Sequence, residues 1–180
     1  MAFTRMDRST RADWDRIAHA SVDAWALVPD RILAMLRSLA DITTGFAVDQ
    51  LQHSLQTATR AERAGADDEV VVAALCHDVG KAISEPNHPA VAAALLRPYV
   101  REEVAWMIEV HQDFQGRYYY KHLGKDPAAR DRYRSHVAYV LAEQFADDWD
   151  QASFDPDYDT LPLDHFEPLI RRTFAAPQRI

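Results

Sequence analysis

Six side chains of types that bind metal ions are spread at helix-sized intervals along the middle of the chain. His77 and Asp78 are adjacent, within a stretch that reads AALCHDVGK. The other four candidates flank this pair and are His53, His88, His111 and Asp150. Imidazole and carboxylate ligands suit iron, manganese, zinc or nickel, and one carboxylate can bridge two ions about 3.5 to 4 Å apart. The set therefore predicts a site for two metal ions, with Asp78 as the bridge.

The settings of these candidates separate them from ordinary surface histidines. His53 lies on the inward side of a predicted amphipathic helix. Asp78 follows the apolar run Val70–Leu75, and an unpaired carboxylate is costly to bury there unless a metal or hydrogen-bond donors receive it. His88 is on a shorter helix than the other candidates. The remaining histidines are in polar or loop segments, which explains them without a bound metal; they are His19, His122, His136 and His165.

The elements that must position these ligands are predicted to be helices. Apolar residues recur at intervals of three and four rather than two, and there are only five glycines. Two helices are predicted to begin at Ser9 or Thr10 and at Pro29. Four more are predicted at Asp49–Ala64, Glu69–Asp78, Tyr99–His111 and Asp126–Asp150, and a last one begins at Asp164. A short helix that contains His88 is predicted to be capped by Asn87. Loops are predicted at 114–124 and 153–162. The fold class is therefore all-α.

Length and composition favour one soluble domain over residues 1–180, with a metal-binding core at about 49–151. A single cysteine excludes an intrachain disulfide, which favours a reducing cytoplasm. No run approaches the roughly 18 apolar residues of a membrane span. The net charge of -8 argues against a nucleic-acid partner. A local group of basic residues still favours a small anionic substrate, while the oligomeric state is left open.

The pattern of ligands resembles that of a known superfamily. His53, the pair His77 and Asp78, and Asp150 match the arrangement that defines the HD-domain superfamily of helical metal hydrolases and oxygenases. The similarity covers roughly Asp49–Gln151. It implies a helical bundle with a buried metal site.

Two further histidines narrow the resemblance to one branch of this superfamily. With His88 and His111 included, the set is similar to the binuclear branch, which contains phosphodiesterases and mixed-valence di-iron oxygenases. The segment Gln50–Ala58 reads QLQHSLQTA and resembles the helix of the organophosphonate-cleaving oxygenases and, more distantly, of myo-inositol oxygenase. The resemblance implies two iron ions, Fe(II) and Fe(III), with dioxygen as co-substrate.

Departures from this branch indicate a different substrate. In the oxygenase that cleaves 2-amino-1-hydroxyethylphosphonate, a tyrosine and a glutamate precede the first ligand, but this chain has Thr43–Phe46 there, without a carboxylate. Lys81 stands where that family tends to carry histidine, and Gln115 where it carries lysine. The aromatic Phe46 and the run Tyr118–Tyr120 suit a trimethylammonium group. The expected substrate is 1-hydroxy-2-(trimethylammonio)ethylphosphonate.

The resemblance implies oxidative cleavage of the carbon–phosphorus bond with release of phosphate. Lys81 is expected to be catalytic. The residues expected to bind substrate are Lys81, Phe46, Gln115, Arg117, Tyr118 and Lys121. Two alternatives remain at this point: a metal-dependent phosphohydrolase that acts on a phosphomonoester or nucleotide, and a non-catalytic helical domain that keeps a metal for stability or sensing.

Overall fold

The computed structural model describes residues 3–178, and every regular element within that range is a helix. The predicted all-α class is thereby confirmed. The eight α-helices are α1 (Arg11–Trp25), α2 (Val28–Ser38), α3 (Gln50–Arg63), α4 (Asp68–Cys76), α5 (His88–Leu96), α6 (Glu102–Tyr119), α7 (Tyr139–Gln144) and α8 (Leu163–Thr173). Short 3-10 turns join several of them, and a π-helical turn, Phe145–Asp150, continues α7.

Polar side chains cap three of these helices, at or close to the predicted starts. Thr10 forms a reciprocal capping box with Asp13 at the start of α1. The side chain of Asp49 accepts a hydrogen bond from the backbone of Gln52 in α3, and Asp67 does the same for α4. Each such cap is worth about 1 kcal/mol, because it satisfies a backbone N–H that has no partner within the helix.

Helix α4 is the centre of the bundle. It packs against α3, α6 and α8, and its residues Val70–Cys76 are all buried. Burying each large apolar side chain contributes about 1.5 to 3 kcal/mol. Because α4 is covered on every side, its last turn delivers the pair His77 and Asp78 directly into the interior of the protein.

Helix α6 is longer than the sequence analysis predicts. The prediction ends this helix at His111 and places a loop at 114–124, whereas α6 continues to Tyr119 and a 3-10 turn follows. Gly116 lies inside the helix, and the ring of Tyr120 packs beside it, only 2.6 Å from where a Cβ would stand. The buried side chain of Phe114 holds the extension against the core.

The predicted continuous helix from Asp126 to Asp150 is wrong. A 3-10 turn at Ala129–Tyr133 precedes α7, and the apolar residues Val137 and Val140 are 84% and 72% exposed. The ring of His136 stacks on Trp106 with centroids 3.5 Å apart and accepts a hydrogen bond from the backbone of Ala138. This tertiary contact interrupts the helix.

Helix α1 forms as predicted, but its apolar side does not enter the core. Trp14, Ile17 and Val22 are 43%, 38% and 55% exposed. Within residues 3–178, no helix combines the length and the apolar character that crossing a membrane requires.

Gly80 permits a close backbone contact next to the predicted ligands. A Cβ at this position would lie 2.3 Å from the carbonyl oxygen of His88 and 2.8 Å from its Cα. The sequence pattern predicts a helix end at Gly80, but the main role of this glycine is to let the turn Val79–Ala82 touch the start of α5. Only glycine has the space for this contact.

We predict that Gly80→Ala lowers the free energy of unfolding by about 3 kcal/mol, the upper end of the usual cost of overpacking, because backbone atoms cannot rotate away. Gly124→Ala is the control, since Gly124 has a φ of +67° and no neighbour near its missing Cβ. It should cost only about 1 to 2 kcal/mol of backbone strain. Urea unfolding measures both variants, and equal losses would contradict the role assigned to Gly80.

Candidate metal centre

The six predicted ligands lie together in the interior, and none is more than 3% exposed. They come from five separate elements: His53 from α3, His77 and Asp78 from the end of α4, His88 from the start of α5, His111 from α6, and Asp150 from the end of the π-helical turn. Burial of so many polar groups at one point requires that they share a partner.

The first half of the cluster contains His53, His77 and Asp150. The Nε2 atoms of the two histidines are 3.0 Å apart. The Oδ1 atom of Asp150 lies 3.2 Å from Nε2 of His53 and 3.6 Å from Nε2 of His77. These three ligand atoms are close enough to one another to hold one metal ion.

The second half of the cluster is on the other side of Asp78. The Oδ2 atom of Asp78 faces the first half, at 3.3 Å from Nε2 of His77 and 3.5 Å from Nε2 of His53. Its Oδ1 atom lies 3.1 Å from Nε2 of His88 and 3.6 Å from Nε2 of His111. The two oxygens of one carboxylate therefore face two different groups of histidines, as a bridging ligand requires.

Backbone carbonyls orient all four histidine rings. Because a carbonyl oxygen only accepts hydrogen bonds, each ring must carry a hydrogen on Nδ1, and in the neutral ring this leaves Nε2 as an unprotonated electron-pair donor to a metal. The Nδ1 donors and their acceptors are His53 to Ser153 O at 2.9 Å, His77 to Ala74 O at 2.8 Å, His88 to Glu85 O at 2.8 Å, and His111 to Ile108 O at 2.7 Å.

This arrangement of hydrogens makes the centre a poor hydrogen-bond network and a good metal site. When both rings are neutral, the contact between Nε2 of His53 and Nε2 of His77, at 3.0 Å, brings two lone pairs together. The buried atoms Asp78 Oδ1 and Asp150 Oδ2 have no hydrogen-bond partner among the described residues. Cations between these atoms would satisfy them all, so the donor set fits two metal ions.

A lysine also contacts the bridging carboxylate. Lys81 Nζ donates to Asp78 Oδ2 at 2.7 Å and to Gln50 Oε1 at 2.8 Å. Its side chain is 12% exposed and lies on the wall of the cavity above the cluster. Lys81 can therefore orient Asp78 and still reach a group bound in that cavity.

The charges of the cluster shift its pKa values in opposite directions. Burial disfavours the charged form of Asp78, but the positive charge of His77 and the proximity of three histidine rings hold the pKa of Asp78 well below its usual range. Burial also opposes the charged form of His77, but Asp78 and Asp150 outweigh it and raise the His77 pKa. Burial is the main cause that lowers the pKa of His111.

A cavity of about 430 Å³ opens above the cluster. The buried residues His53, Asp78, His88 and His111 line its floor, and the exposed residues at its mouth are Phe46, Glu85 and Tyr118. Half-buried polar and aromatic side chains form the wall between floor and mouth: Lys81, Gln112, Gln115, Tyr119, Gln151 and Phe154.

The residues predicted to bind substrate do not all lie at this cavity. Phe46, Lys81, Gln115 and Tyr118 line it, while the exposed side chains of Arg117 and Lys121 do not. Because α6 continues past His111, it places Arg117 on a different side of the helix from His111 and Gln115, and Lys121 lies in the 3-10 turn after α6. Basic residues close in sequence are therefore not brought to one place.

Sequence reasoning missed several lining residues. Gln112 shares a face of α6 with His111 and Gln115, and correct helix bounds would have identified it. Phe154 stacks on the ring of His53 at 4.2 Å and on Phe46 at 4.7 Å, so the aromatic wall begins at a ligand. No local signal indicates that Glu85 or Phe154 faces the cavity.

An all-helical bundle that gathers one upstream histidine, an adjacent histidine and aspartate, and a late aspartate defines a class of metal-binding helical domains. The HD domain family matches residues 51–153, more than half of the 180-residue chain. The chain therefore belongs to the HD-domain family, whose members are generally metal-dependent enzymes. No curated protein matches the chain.

Replacing the bridge tests the centre directly. Asp78→Asn replaces one carboxylate oxygen with an amide nitrogen that cannot bind a metal, so the protein should lose at least one of two bound ions. Asp148→Asn is the matched control, because Asp148 is exposed on the same turn as Asp150. Metal analysis after loading with Mn²⁺ measures the ratio of ions to chains. Equal metal contents in both variants would contradict a bridging role.

The raised pKa of His77 predicts opposite pH dependences for the metal-free and metal-loaded protein. A histidine with a raised pKa stabilises the fold below its ordinary pKa of 6.5, and this contribution is lost as the pH rises through the raised value. The metal-free protein should thus lose stability above pH 6.5. The loaded protein should gain it, because neutral imidazoles bind the metal. Thermal unfolding across this pH range, with and without Mn²⁺, measures the two stabilities. The same dependence of stability on pH with and without Mn²⁺ would refute the assignment of His77 as a metal ligand.

Proposed function

We propose that the protein is a di-iron oxygenase that cleaves the carbon–phosphorus bond of a small hydroxylated organophosphonate. The observation that carries this proposal is the division of the Asp78 carboxylate between two groups of histidines, directly beneath an open cavity. Such a site provides two neighbouring ions, and the cavity gives a substrate access to them. A purely structural metal site is closed to substrates.

Two iron ions held by His53, His77, Asp78, His88, His111 and Asp150 would supply the oxidation chemistry. The balanced reaction consumes one dioxygen per substrate: the hydroxyl-bearing carbon becomes a carboxylate, the carbon–phosphorus bond breaks, and phosphate and one proton are released. The contribution of the protein is to bind the hydroxyl and phosphonate oxygens on the floor of the cavity and to exclude competing water.

Lys81 is the residue proposed to neutralise the phosphonate. Among the described residues that line the cavity, it is the one lysine or arginine. Its contact with Asp78 Oδ2, at 2.7 Å, keeps its positive charge beside the metal ligands. Gln115 donates to Asp150 Oδ1 at 2.9 Å, so its amide oxygen is directed elsewhere and is available to a substrate hydroxyl.

The mouth of the cavity supports a substrate with a cationic end. Phe46 and Tyr118 offer aromatic faces, and Glu85 adds a carboxylate that the sequence analysis does not assign. Aromatic rings attract quaternary ammonium groups, and a nearby carboxylate strengthens this attraction. The preferred substrate is 1-hydroxy-2-(trimethylammonio)ethylphosphonate, with its phosphonate toward Lys81 and its ammonium toward the mouth.

A metal-dependent phosphohydrolase is the second candidate. The same histidine and carboxylate ligands suit manganese, cobalt or nickel, which can activate water for attack on phosphorus. The contact of Lys81 with the bridging carboxylate favours this candidate as well, because a lysine there can stabilise charge on a phosphate. The two candidates differ in whether dioxygen is consumed.

Iron loading under argon followed by partial oxidation tests the proposal. A coupled mixed-valence signal is expected in electron paramagnetic resonance, with one dioxygen consumed per phosphate released from the trimethylammonio substrate. Lys81→Met should lower the rate by about 10² to 10³, the usual cost of losing one charge-stabilising donor. Lys125→Met, at an exposed position away from the cavity, is the control.

Metal content is measured for both lysine variants, because Lys81 also contacts a ligand. Release of phosphate from a phosphomonoester under argon, supported by Mn²⁺ and without oxygen uptake, would show that the protein is a hydrolase and not an oxygenase. Absence of both the mixed-valence signal and oxygen uptake would remove the oxygenase proposal.

A further inference from the structure

The π-helical turn Phe145–Asp150 is the least regular element next to the metal centre. Its backbone hydrogen bond from Gln151 N to Ala146 O, at 3.2 Å, spans five residues rather than four. Such turns are rare and are frequently found at functional sites. Here the wider turn brings Phe145 and Asp150 to the same side, where both face His77. An ordinary α-helix would separate them.

A buried arginine forms ion pairs with this turn and with the helix before it. Arg130 is only 3% exposed. Its Nη1 atom lies 2.7 Å from Oδ1 of Asp147, and its Nη2 atom lies 3.1 Å from Oε1 of Glu143. Because a guanidinium stays charged in proteins, a buried arginine depends strongly on its carboxylate partners.

Asp147 links this arginine to the cavity and to the ligand. Its side chain binds Arg130, and its carbonyl oxygen accepts a hydrogen bond from Gln151 Nε2 at 3.0 Å. Gln151 lines the cavity, and its neighbour Asp150 is in the cluster. Asp147 thus connects the buried arginine to the cavity, through Gln151, and to the metal ligand Asp150.

We infer that Arg130 is a positioning residue for the metal centre: by holding Asp147, it keeps the π-helical turn in the register that directs Asp150 toward His53 and His77. Within residues 3–178, the hydrogen bonds and ion pairs of Arg130 are with Asp147 and Glu143 and not with any of the six metal ligands. Its effect passes through the backbone between Asp147 and Asp150. This inference does not depend on which reaction the metal centre catalyses.

The competing explanation is that Arg130 only fastens the turn Ala129–Tyr133 to α7. The two carboxylates separate these explanations, because both bind the same guanidinium but stand in different elements. Glu143 lies on α7, before the π-helical turn, and Asp147 lies within it. If Arg130 only fastens the turn, removal of either carboxylate should have the same effect. If Arg130 positions the metal centre, only removal of the Asp147 carboxylate should weaken metal binding.

Titration of the metal-free protein with Co²⁺, followed by visible absorption, tests the inference. Asp147→Ala should weaken one of two Co²⁺ sites by about 10- to 100-fold, the usual effect of losing a group that orients a ligand. Glu143→Ala is the matched control and should leave both affinities unchanged. Asp150→Ala shows which site is affected, and Asp147→Ala should weaken that same site.

Thermal unfolding of the metal-free variants reports stability separately from metal binding. If Asp147→Ala does not fold, Asp147→Asn removes the charge while keeping the shape, and it should show the same selective weakening. Equal Co²⁺ affinities for the Asp147 and Glu143 variants would overturn the inference. So would a lower unfolding temperature for Asp147→Ala without any change in Co²⁺ binding.

Discussion

The buried carboxylate of Asp78 is the constraint on which the centre of this protein depends. Its two oxygens face different pairs of histidines, and one oxygen has no hydrogen-bond donor among the described residues. Because the neighbouring Nε2 atoms also carry lone pairs, the cluster needs positive charge at its centre. Lys81 supplies part of that charge, and metal ions would supply the rest.

The surrounding helices hold the ligands of the cluster in place and do not contribute its charge. Helix α4 is apolar on all sides and ends where its backbone enters the cluster, so His77 and Asp78 are placed by burial of the residues before them. Backbone carbonyls then select the ring nitrogen that each histidine presents. The π-helical turn adds Asp150 from the far end of the sequence. Rigid apolar packing and backbone hydrogen bonds thus prepare a polar site before any ion binds.

The cavity joins this centre to solvent through a gradient of side-chain types. Its floor consists of ligands, its wall carries amides, a phenol and Lys81, and its mouth combines two aromatic rings with Glu85. The proposed substrate, with an anionic end and a cationic end, follows this gradient. Membership in the HD-domain family accounts for the metal-binding floor, whereas the wall and mouth are where members of one family differ in substrate.

Local patterns in the sequence determined the helical class, three of the helix caps and the six candidate ligands, because spacing and capping depend on neighbouring residues. Other features depended on contacts between distant residues. The ring of Tyr120 packs against Gly116 inside α6, and the His136 ring stacks on Trp106 next to the exposed residues Val137 and Val140. The places of Glu85, Phe154 and Arg130 follow from the packing of separate elements, which hydrophobic periodicity along one helix does not encode.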